Sequence, residues 1–579
     1  MAFYYINDEA QLGELAVLEG AAVLGVDTET AGKNALVTQQ SRVRLLQVAS
    51  HQHCFVIDMD VVDPMPVLRP LFVDEKVVVV FHNAKFDVKL LMHHYQLVPN
   101  NIFCTYLAAK LLAMGSRRMR FNLREVVARY LDRGMDKTEQ TSNFGANLSE
   151  SQIRYAGEDA DVLPLLYDKM MGQLRKNKLT KVAQLEFRTI VPVVAMELRG
   201  IFVDREALLA LEQEYNGRAL ILEEALLEEL CSPGALPGMN TLNINAPEQV
   251  KEALAERGIL VEDTADARLR PLIDEHPFLA KLLEHRHLQK ISGGAIKSLV
   301  DAILPETGRV HCSYHQIASA SGRFACSDPN IQQVPREKAI RGCVKPQPGY
   351  LYVIADYSQV ELRVAAGLSA DPIMIDAYAR GQDLHRLTAA LTMDKPIDEV
   401  TGQERQAAKA INFGLIYAMG PRGLQASAKS SYGVDLSLEE ATAFRDRYFK
   451  NYKGIARWQK ESERLGKQRG FVRTASGRIR AYMDEEMRVT ELLNIPVQGT
   501  AAEGLKCAMF LFWEKVQEDK LDAAIVAVIH DEIIVEVKRE QAEWAKQVLE
   551  MSMVRGIQWL VPGVVFEAEA HIAVSWAEK

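Results

Sequence analysis

The chain has 579 residues, of which 48% are hydrophobic and 25% charged; this excludes a disulfide miniprotein, a single small binding module and a largely disordered or fibrous protein. At roughly 150 residues per domain, the length predicts three or four domains. The 77 acidic and 68 basic residues give a net charge of -9, which taken alone argues against a nucleic-acid-binding protein, because phosphate neutralisation requires cations.

The cysteines and the amino terminus indicate the compartment. The 7 cysteines are scattered and form no Cys-x-x-Cys pair, so neither a disulfide framework nor a zinc site is predicted. The first residues lack a basic segment followed by an apolar one, and no apolar run approaches ~18 residues. We therefore expect a cytoplasmic protein without a membrane span.

Short apolar runs alternate with longer helical patterns over residues 1–185. The strand-like runs are 22–26 and 77–81, and the helical patterns are 106–114 and 123–131. This alternation is typical of an α/β domain with a mixed sheet flanked by helices.

Beyond residue 185 the pattern is mostly helical to about 300, with a Pro- and Gly-rich turn cluster at 231–238 that must interrupt regular structure. Strand-like runs return at 350–355 and 523–537, and a long helical block occupies 401–516 between them. We expect a second sheet domain whose sequence is interrupted by a helical insertion.

Two acids, Asp27 and Glu29, end an apolar strand-like run, and their spacing places both on one face of the strand. Carboxylates this close favour a divalent cation, although an Asp-x-Glu is also common at solvated strand ends. Three companions follow in order: Asp87 after the second apolar run, then Tyr155 and Asp159, which are one helical turn apart.

Further acids accompany the later strand-like runs. Asp356 ends the run 350–355, and His530, Asp531 and Glu532 separate two β-branched runs, which indicates a hairpin. Acids in such positions are costly unless something pairs with them, but an ordinary polar hairpin turn is the alternative.

A helix is predicted to begin at a capping box formed by Thr401 and Glu404. A ridge with a spacing of four follows along 405–417, made of Arg405, Lys409, Phe413 and Tyr417. Cations near the positive end of a helix suit a polyphosphate, and aromatic rings offer a surface for a base. A solvated helix edge would show the same pattern.

Two resemblances arise from these residues. Asp27, Glu29, Asp87, Tyr155 and Asp159 resemble the motifs of the tyrosine variant of DEDD-type 3′–5′ exonucleases. The segments around Asp356, 405–417 and Asp531 resemble motifs A, B and C of family A DNA polymerases, the bacterial DNA polymerase I type. Supporting stretches are Ser321-Gly-Arg323, Asp328-Pro-Asn-Ile-Gln332, Asp383-Leu-His385, Thr474-Ala-Ser-Gly-Arg478 and Pro496-Val-Gln498-Gly-Thr.

The resemblance implies an α/β exonuclease domain with an RNase H-like mixed sheet at 1–185, followed by an α+β right-hand polymerase domain at 186–579. The thumb would occupy about 186–310, the palm about 311–400 and 517–579, and the fingers about 401–516. A separate 5′ nuclease domain would have no room ahead of Asp27, so flap cleavage is not expected.

The resemblance also implies two Mg²⁺ ions in each site, with Mn²⁺ as a substitute, for two-metal phosphoryl transfer. Tyr155 would orient the attacking water of the exonuclease, and Glu532 would support the polymerase acids. The implied metal ligands are Asp27, Glu29, Asp87 and Asp159 in the exonuclease, and Asp356 and Asp531 in the polymerase.

The same resemblance implies contacts to nucleotide and DNA. Lys409 would also be the acid for the departing pyrophosphate, and Glu361 would be a steric gate against a ribose 2′-hydroxyl. The implied dNTP contacts are Arg405, Lys409, Phe413, Tyr417, His385, Gln359 and Glu361, and the implied DNA contacts are Arg323, Asn494, Gln498 and His530. The partners would be primer–template DNA and dNTPs, bound by a monomer of bacterial, phage or organellar origin that works with replication accessory proteins.

Two other functions are weighed against this one. A 3′–5′ exoribonuclease of the RNase D kind would explain residues 1–185 but not Asp356, Lys409 or Asp531. A non-catalytic DNA-binding scaffold would be expected to have lost metal-binding acids, and all of them are present. The acidic net charge does not contradict DNA binding, because bound metals would offset the clustered acids and DNA contact depends on local cations.

Overall fold

The computed structural model describes residues 2–34, 37–116, 118–136, 138–139, 142–230, 242–483 and 485–578. The turn cluster predicted at 231–238 lies outside the described residues. Contacts divide the chain into two compact units. The first comprises the described parts of Met1–Arg199, Tyr314–Ala325 and Val353–Ile572; the second comprises those of Gly200–Ser313, Cys326–Tyr352 and Ala573–Lys579.

The amino-terminal part of the first unit is built on a mixed six-stranded sheet. Its strands are β1 (Ala2–Ile6), β2 (Val23–Gly32), β3 (Ser41–Ala49), β4 (His53–Asp58), β5 (Val78–Phe81) and β6 (Ile102–Cys104). Their order is β1-β4-β3-β2-β5-β6; β2 is antiparallel to β3 and parallel to β5. The predicted mixed sheet is therefore confirmed, and both predicted strands lie in it.

Helices cover this sheet. They are α1 (Met65–Val73), α2 (Lys85–Tyr95), α3 (Thr105–Leu112), α4 (Leu123–Leu131), α5 (Glu150–Lys176) and α6 (Thr180–Arg199). Ser149 begins α5 with a capping box to Gln152, and the apolar side chains of α5 pack into the same core as β2 and β5. The helical patterns at 106–114 and 123–131 correspond to α3 and α4.

The second unit is mostly helical, as the pattern beyond residue 185 predicts. Its elements, together with the strands at its borders, are β7 (Ile201–Phe202), α7 (Arg205–Leu230), α8 (Pro247–Glu256), α9 (Asp266–Leu269), α10 (Phe278–Lys290), α11 (Lys297–Asp301), β8 (Ile303–Leu304), β9 (Arg309–Val310), β10 (Ser313–His315), β11 (Ala325–Ser327), α12 (Lys338–Gly342) and β12 (Tyr350–Tyr357). Leu226, Leu254 and Leu282 form part of the core between α7, α8 and α10.

The carboxyl-terminal half combines a helical block with a second sheet. The block holds α13 (Val360–Ser369), α14 (Pro372–Ala379), α15 (Leu384–Met393), α16 (Gly402–Leu415), α17 (Pro421–Tyr432), α18 (Leu438–Asn451), α19 (Lys453–Arg469), β13 (Phe471–Arg473), β14 (Ile479–Ala481) and α20 (Val489–Asp519). The sheet adds β15 (Ala523–Ile529), β16 (Glu532–Lys538) and β17 (Ala568–Ala573), in the order β15-β16-β12-β17, and α21 (Ala542–Gln558) packs against α20.

Three features refine the predictions for this half. The hairpin predicted at 523–537 is present as β15 and β16. The helical block at 401–516 is interrupted by the antiparallel pair β13 and β14, which the helical pattern did not indicate. The predicted domain boundaries stay predictions. Helix α6 continues across the predicted boundary at residue 185, and helix α20 continues across the predicted boundary at residue 516.

Among the described residues, no helix combines the length and apolar character that a membrane crossing requires.

Candidate active sites

Three acids from distant parts of the chain form one cluster on the first sheet. Asp27 and Glu29 project from β2 and Asp159 from α5, and one ligand atom of each lies within 4.8 Å of the others. The approach of α5 depends on Gly25, because a Cβ there would lie 2.7 Å from the carbonyl oxygen of Ala160. Carboxylate oxygens this close suit a hard divalent cation, so these residues fit the predicted metal site.

Tyr155 lies one turn before Asp159 on α5 and is buried. Burial raises the pKa of Tyr155 far above its ordinary value, and the charges of Asp159 and Glu29 raise it further. The phenol therefore keeps its proton at neutral pH, and it stands beside the carboxylates as a hydrogen-bond donor.

Asp87 lies beside this cluster and is not one of its three acids. It follows β5, as predicted, and lies in the first turn of α2, the helix after that strand. Its carboxylate accepts a 2.6 Å hydrogen bond from the hydroxyl of Thr28, the residue between Asp27 and Glu29. Burial raises the pKa of Asp87 to about 7, and the Thr28 bond opposes the rise. A nearby cation would favour its charged form.

A second site is an open cavity of about 420 Å³ in the carboxyl-terminal half. It brings together the amino-terminal part of α13, the first turn of α15, the exposed side of α16 and the turn between β15 and β16. Its lining residues are Gln359, Val360, Glu361, His385, Arg405, Lys409, Phe413 and Asp531. All of them except Val360 are predicted site residues, drawn from segments up to 172 positions apart in the sequence.

The acids of this half come from adjacent strands. Asp356 is near the end of β12, and β16, which begins with Glu532, is the neighbour of β12 in the sheet. His530 and Asp531 form the exposed turn that precedes β16, and His530 has a left-handed backbone with φ of 59°. Asp531 lines the cavity, whereas Glu532 is buried.

Arg405 is held at the edge of the cavity by an acid that also caps a helix. Its Nε donates to Oδ2 of Asp383 at 2.6 Å, and the other oxygen of Asp383 accepts the backbone N–H groups of His385 and Arg386 at the start of α15. Burial alone would raise the pKa of Asp383, but the bonds from Arg405 and from the backbone lower it below its ordinary value.

His385 is almost fully buried, with 2% of its surface exposed. Burial lowers its pKa to about 4, and the nearby charges of Arg405 and Lys409 act in the same direction. The side chain is thus neutral at pH 7. Its Nδ1 meets the side-chain amide of Asn412 at 2.9 Å. We did not single out Asn412 from the sequence, although a buried amide between Ile411 and Phe413 on an apolar helix face is a signal.

Glu361 contacts two other predicted site residues, Arg323 and Tyr417. One carboxylate oxygen accepts from Arg323 at 2.6 Å and the other accepts from the hydroxyl of Tyr417. Burial and the charge of Glu361 raise the pKa of Tyr417 well above its ordinary value, and Gln498 contacts the same hydroxyl. Tyr417 was predicted on the helix of Arg405, but α16 ends at Leu415 and Tyr417 lies in the turn beyond it.

Asn494 and Gln498 are one turn apart on α20 and are both half-buried. The amide oxygen of Asn494 is buried and meets no hydrogen-bond partner among the residues that the structure describes. A buried acceptor of this kind carries a cost unless a ligand or solvent satisfies it, so Asn494 is a candidate ligand contact.

Comparisons with known proteins identify two families that together cover most of the chain. A model of DNA polymerase family A matches residues 210–578, and a model of a 3′–5′ exonuclease matches residues 3–175. The DNA polymerase I of Aquifex aeolicus (strain VF5) is 35% identical, over 100% of both chains.

Two longer relatives are matched only in part. The DNA polymerase I of Pseudomonas aeruginosa is 31% identical over 97% of this chain and 64% of its own length. The thermostable DNA polymerase I of Thermus aquaticus is 33% identical over 73% of this chain and 51% of its own length. The chain thus spans about half to two thirds of these relatives.

A solved structure shares the fold over nearly the whole chain. It is described as the POL domain of Pol1 from M. smegmatis in complex with DNA primer-template and dNTP. The TM-score is 0.84 at 24% identity, with 99% of each chain covered.

Proposed function

Because the chain belongs to DNA polymerase family A and carries a 3′–5′ exonuclease domain, we propose that it adds deoxynucleotides to a primer 3′-hydroxyl along a DNA template and removes mispaired nucleotides from the same end. The observation that carries the polymerase part is the cavity in which Arg405, Lys409 and His385 face the acid Asp531. Cations opposite an acid suit a triphosphate that reaches its site together with metal ions.

Each site would hold two Mg²⁺ ions, for which Mn²⁺ would substitute; when bound, such ions would lower the pKa of the attacking oxygen and neutralise charge on the phosphates. Asp356 and Asp531 would hold them in the polymerase. Asp27, Glu29 and Asp159 would hold them in the exonuclease. Asp87, which accepts a hydrogen bond from Thr28, would be the fourth ligand. The close grouping of the three exonuclease acids supports this assignment.

In the polymerase site, the protein binds and orients the nucleotide. Arg405 offers its remaining N–H groups to the triphosphate while Asp383 fixes its Nε. Lys409 lies one helical turn further along α16 and would give a proton to the departing pyrophosphate. Phe413, a turn beyond Lys409, would pack against the base and sugar.

Glu361 would select the sugar of the nucleotide, and neighbouring polar residues would contact the base pair. The carboxylate of Glu361, fixed by Arg323 and Tyr417, would fill the space of a ribose 2′-hydroxyl and so favour deoxyribonucleotides; Gln359 lines the same cavity. Arg323, Asn494 and Gln498 would contact acceptors in the minor groove, which are nearly alike for all base pairs. His530 and Glu532 would lie near the primer terminus.

In the exonuclease site, the neutral phenol of Tyr155 would orient the attacking water beside Asp159 and Glu29. This part of the proposal rests on the position of Tyr155 one turn before Asp159 and on the raised pKa that keeps its hydroxyl protonated. We propose that the protein acts as a monomer in the cytoplasm, with primer–template DNA, dNTPs and replication accessory proteins as its partners.

Extension of a labelled primer on a DNA template with dNTPs and Mg²⁺ tests both activities. Wild-type protein should extend the primer. Asp356→Ala should lose extension but keep 3′ degradation, and Asp27→Ala should lose degradation but keep extension. If the wild type only degrades the primer, or if Asp356→Ala still extends it, the polymerase assignment fails. Chelation of divalent metals should abolish both reactions.

A further inference from the structure

One exposed face of α19 carries a row of cations, here called the basic stripe. Its members are Lys453, Arg457, Lys460 and Arg464. At 3.6 residues per turn and 1.5 Å per residue, these positions lie within an arc of about 60° and extend over about 16 Å. Together with Ala456 and Glu461 they line an open groove.

The stripe has little internal neutralisation. Lys453, Arg457 and Lys460 form no ion pair with any other residue in the part of the chain that the structure describes, and Arg464 donates to the neutral Gln468 at 3.4 Å. An ordinary solvated helix would pair such cations with acids one turn away. The acid Glu463 pairs instead with Lys467 at 2.6 Å. In a chain of net charge -9, this is a local positive field.

The opposite face of α19 is anchored beside the polymerase site. Gln459 donates from its side chain to the carbonyl oxygens of Leu415 and Ile416 at 2.6 and 3.1 Å, just before Tyr417. A helix is about 10–12 Å across, so the stripe lies about one helix diameter from this backbone.

A second anchor fixes α19 against α20. A Cβ at Gly466 would lie 2.9 Å from the side chain of Leu492, two residues before Asn494. The stripe therefore has a fixed position relative to Tyr417 and Asn494, which are among the proposed nucleotide and DNA contacts.

We propose that the basic stripe binds the sugar–phosphate backbone of the single-stranded template that has not yet been copied. The inference rests on the proposed function, since it needs a template strand at the polymerase site. A single row of cations fits one phosphate backbone, and phosphate contacts are independent of sequence, as a template of any sequence requires.

The experiment compares two primer–templates with the same duplex and different single-stranded template overhangs. One overhang has about 2 nucleotides, fewer than a common single-strand binding site, and the other has about 15, near the upper end of such sites. Binding is measured by fluorescence anisotropy without added metal, so that neither strand is cut. The test variant combines Lys453→Gln, Arg457→Gln, Lys460→Gln and Arg464→Gln. The matched control is Glu461→Gln on the same helix, which removes an acid instead.

For the long overhang, the test variant should bind about tenfold more weakly at low salt. The slope of log affinity against log salt should become shallower by roughly 3, because each of the four lost phosphate contacts contributes about 0.7 to the slope. The short overhang should lose much less, and Glu461→Gln should bind no more weakly than wild type. An equal loss for both overhangs, or an unchanged salt slope, would overturn the proposal. If the wild type extends primers normally but the expected binding differences are not found, only the proposed role of the basic stripe is wrong. If the wild type extends no primer, the proposed polymerase function itself is wrong.

Discussion

Asn412 and His385 meet through a buried hydrogen bond that holds the ring of a histidine lining the cavity. The amide oxygen of Asn412 lies 3.0 Å from the hydroxyl of Thr388, and its amide nitrogen lies 2.9 Å from Nδ1 of His385. With the amide nitrogen as donor, Nδ1 accepts and the ring proton is on Nε2. The hydroxyl of Tyr452, 2.8 Å from that of Thr388, extends the chain. Asn412 thus fixes the neutral tautomer in which Nε2 of His385 is the N–H donor.

Replacement of Asn412 by Leu should weaken dNTP binding, because it removes the donor that holds His385 while keeping a similar volume. We expect KM for dNTP to rise about tenfold, the scale of one hydrogen bond to a charged group, with a smaller effect on kcat. Steady-state single-nucleotide insertion measures both constants. The double variant with His385→Ala should be no worse than His385→Ala alone, because both changes remove one interaction; additive losses would contradict the positioning role.

The stability of the protein should depend on pH through His385. Its pKa is about 4 in the folded protein against an ordinary value of 6.5, so between these values the unfolded chain binds a proton that the folded chain does not. Stability is therefore full above pH 6.5 and falls as pH decreases toward 4, by roughly 2–3 kcal/mol. Urea unfolding of wild type and His385→Gln at several pH values measures this, and equal acid sensitivity of the two proteins would refute it.

Removal of the Glu361 side chain should relax sugar selection. Glu361→Ala opens the space assigned to the ribose 2′-hydroxyl and frees Arg323 and Tyr417 from their shared acceptor. Ribonucleotide insertion relative to deoxyribonucleotide should rise at least roughly tenfold, the scale of discrimination by a small steric difference. Competition between GTP and dGTP opposite a template cytosine measures the ratio. Glu361→Gln is the control of equal size and should keep most of the selectivity; an unchanged ratio in Glu361→Ala would exclude the gate.

A buried ion cluster that joins α6, α20 and the residue before β14 should be needed for folding. Lys506 donates to Glu186 at 2.5 Å, and Arg478, which also contacts Glu186, donates to Glu503 at 3.0 Å; all four side chains are buried. Burial lowers the pKa of Lys506 to about 8, so it is still mostly charged at pH 7.

Lys506→Met should therefore lower the free energy of unfolding by about 3–5 kcal/mol, since it leaves Arg478 as the one cation of the cluster for two buried acids, Glu186 and Glu503. Thermal unfolding measures the loss. The double variant Lys506→Met/Glu186→Gln should recover part of it, because the uncompensated charge is removed. If the single variant unfolds at the wild-type temperature, the cluster is not stabilising.

Local patterns alone predicted much of the architecture. The capping box of Thr401 and Glu404 begins α16 as expected, and the β-branched runs around Asp531 form the hairpin of β15 and β16. Asp27, Asp356 and Asp531 were singled out because an acid at the end of an apolar run is costly without a partner, whereas the resemblance to an exonuclease motif added Asp159 on α5. Strand alternation likewise placed Asp27 and Glu29 on one face.

Tertiary packing decided where α16 ends. The four-residue spacing continues to Tyr417, but the helix stops at Leu415, where Gln459 satisfies the carbonyl oxygens of Leu415 and Ile416 from 43 to 44 residues away. Ala418 then adopts a left-handed backbone with φ of 57°. No local pattern encodes a donor so distant in sequence, and Tyr417 thereby turns toward Glu361.

Local patterns were enough to predict the elements that carry the candidate site residues, because helix capping, strand alternation and turn formation depend on neighbours a few positions apart. The partners of these residues follow from tertiary packing: Asn412 for His385, Arg323 for Glu361, Thr28 for Asp87 and Glu186 for Lys506. These pairs are separated by 27 to 320 positions. Their contacts depend on how helices and sheets pack, and packing follows from the shape and burial of whole surfaces rather than from any local period.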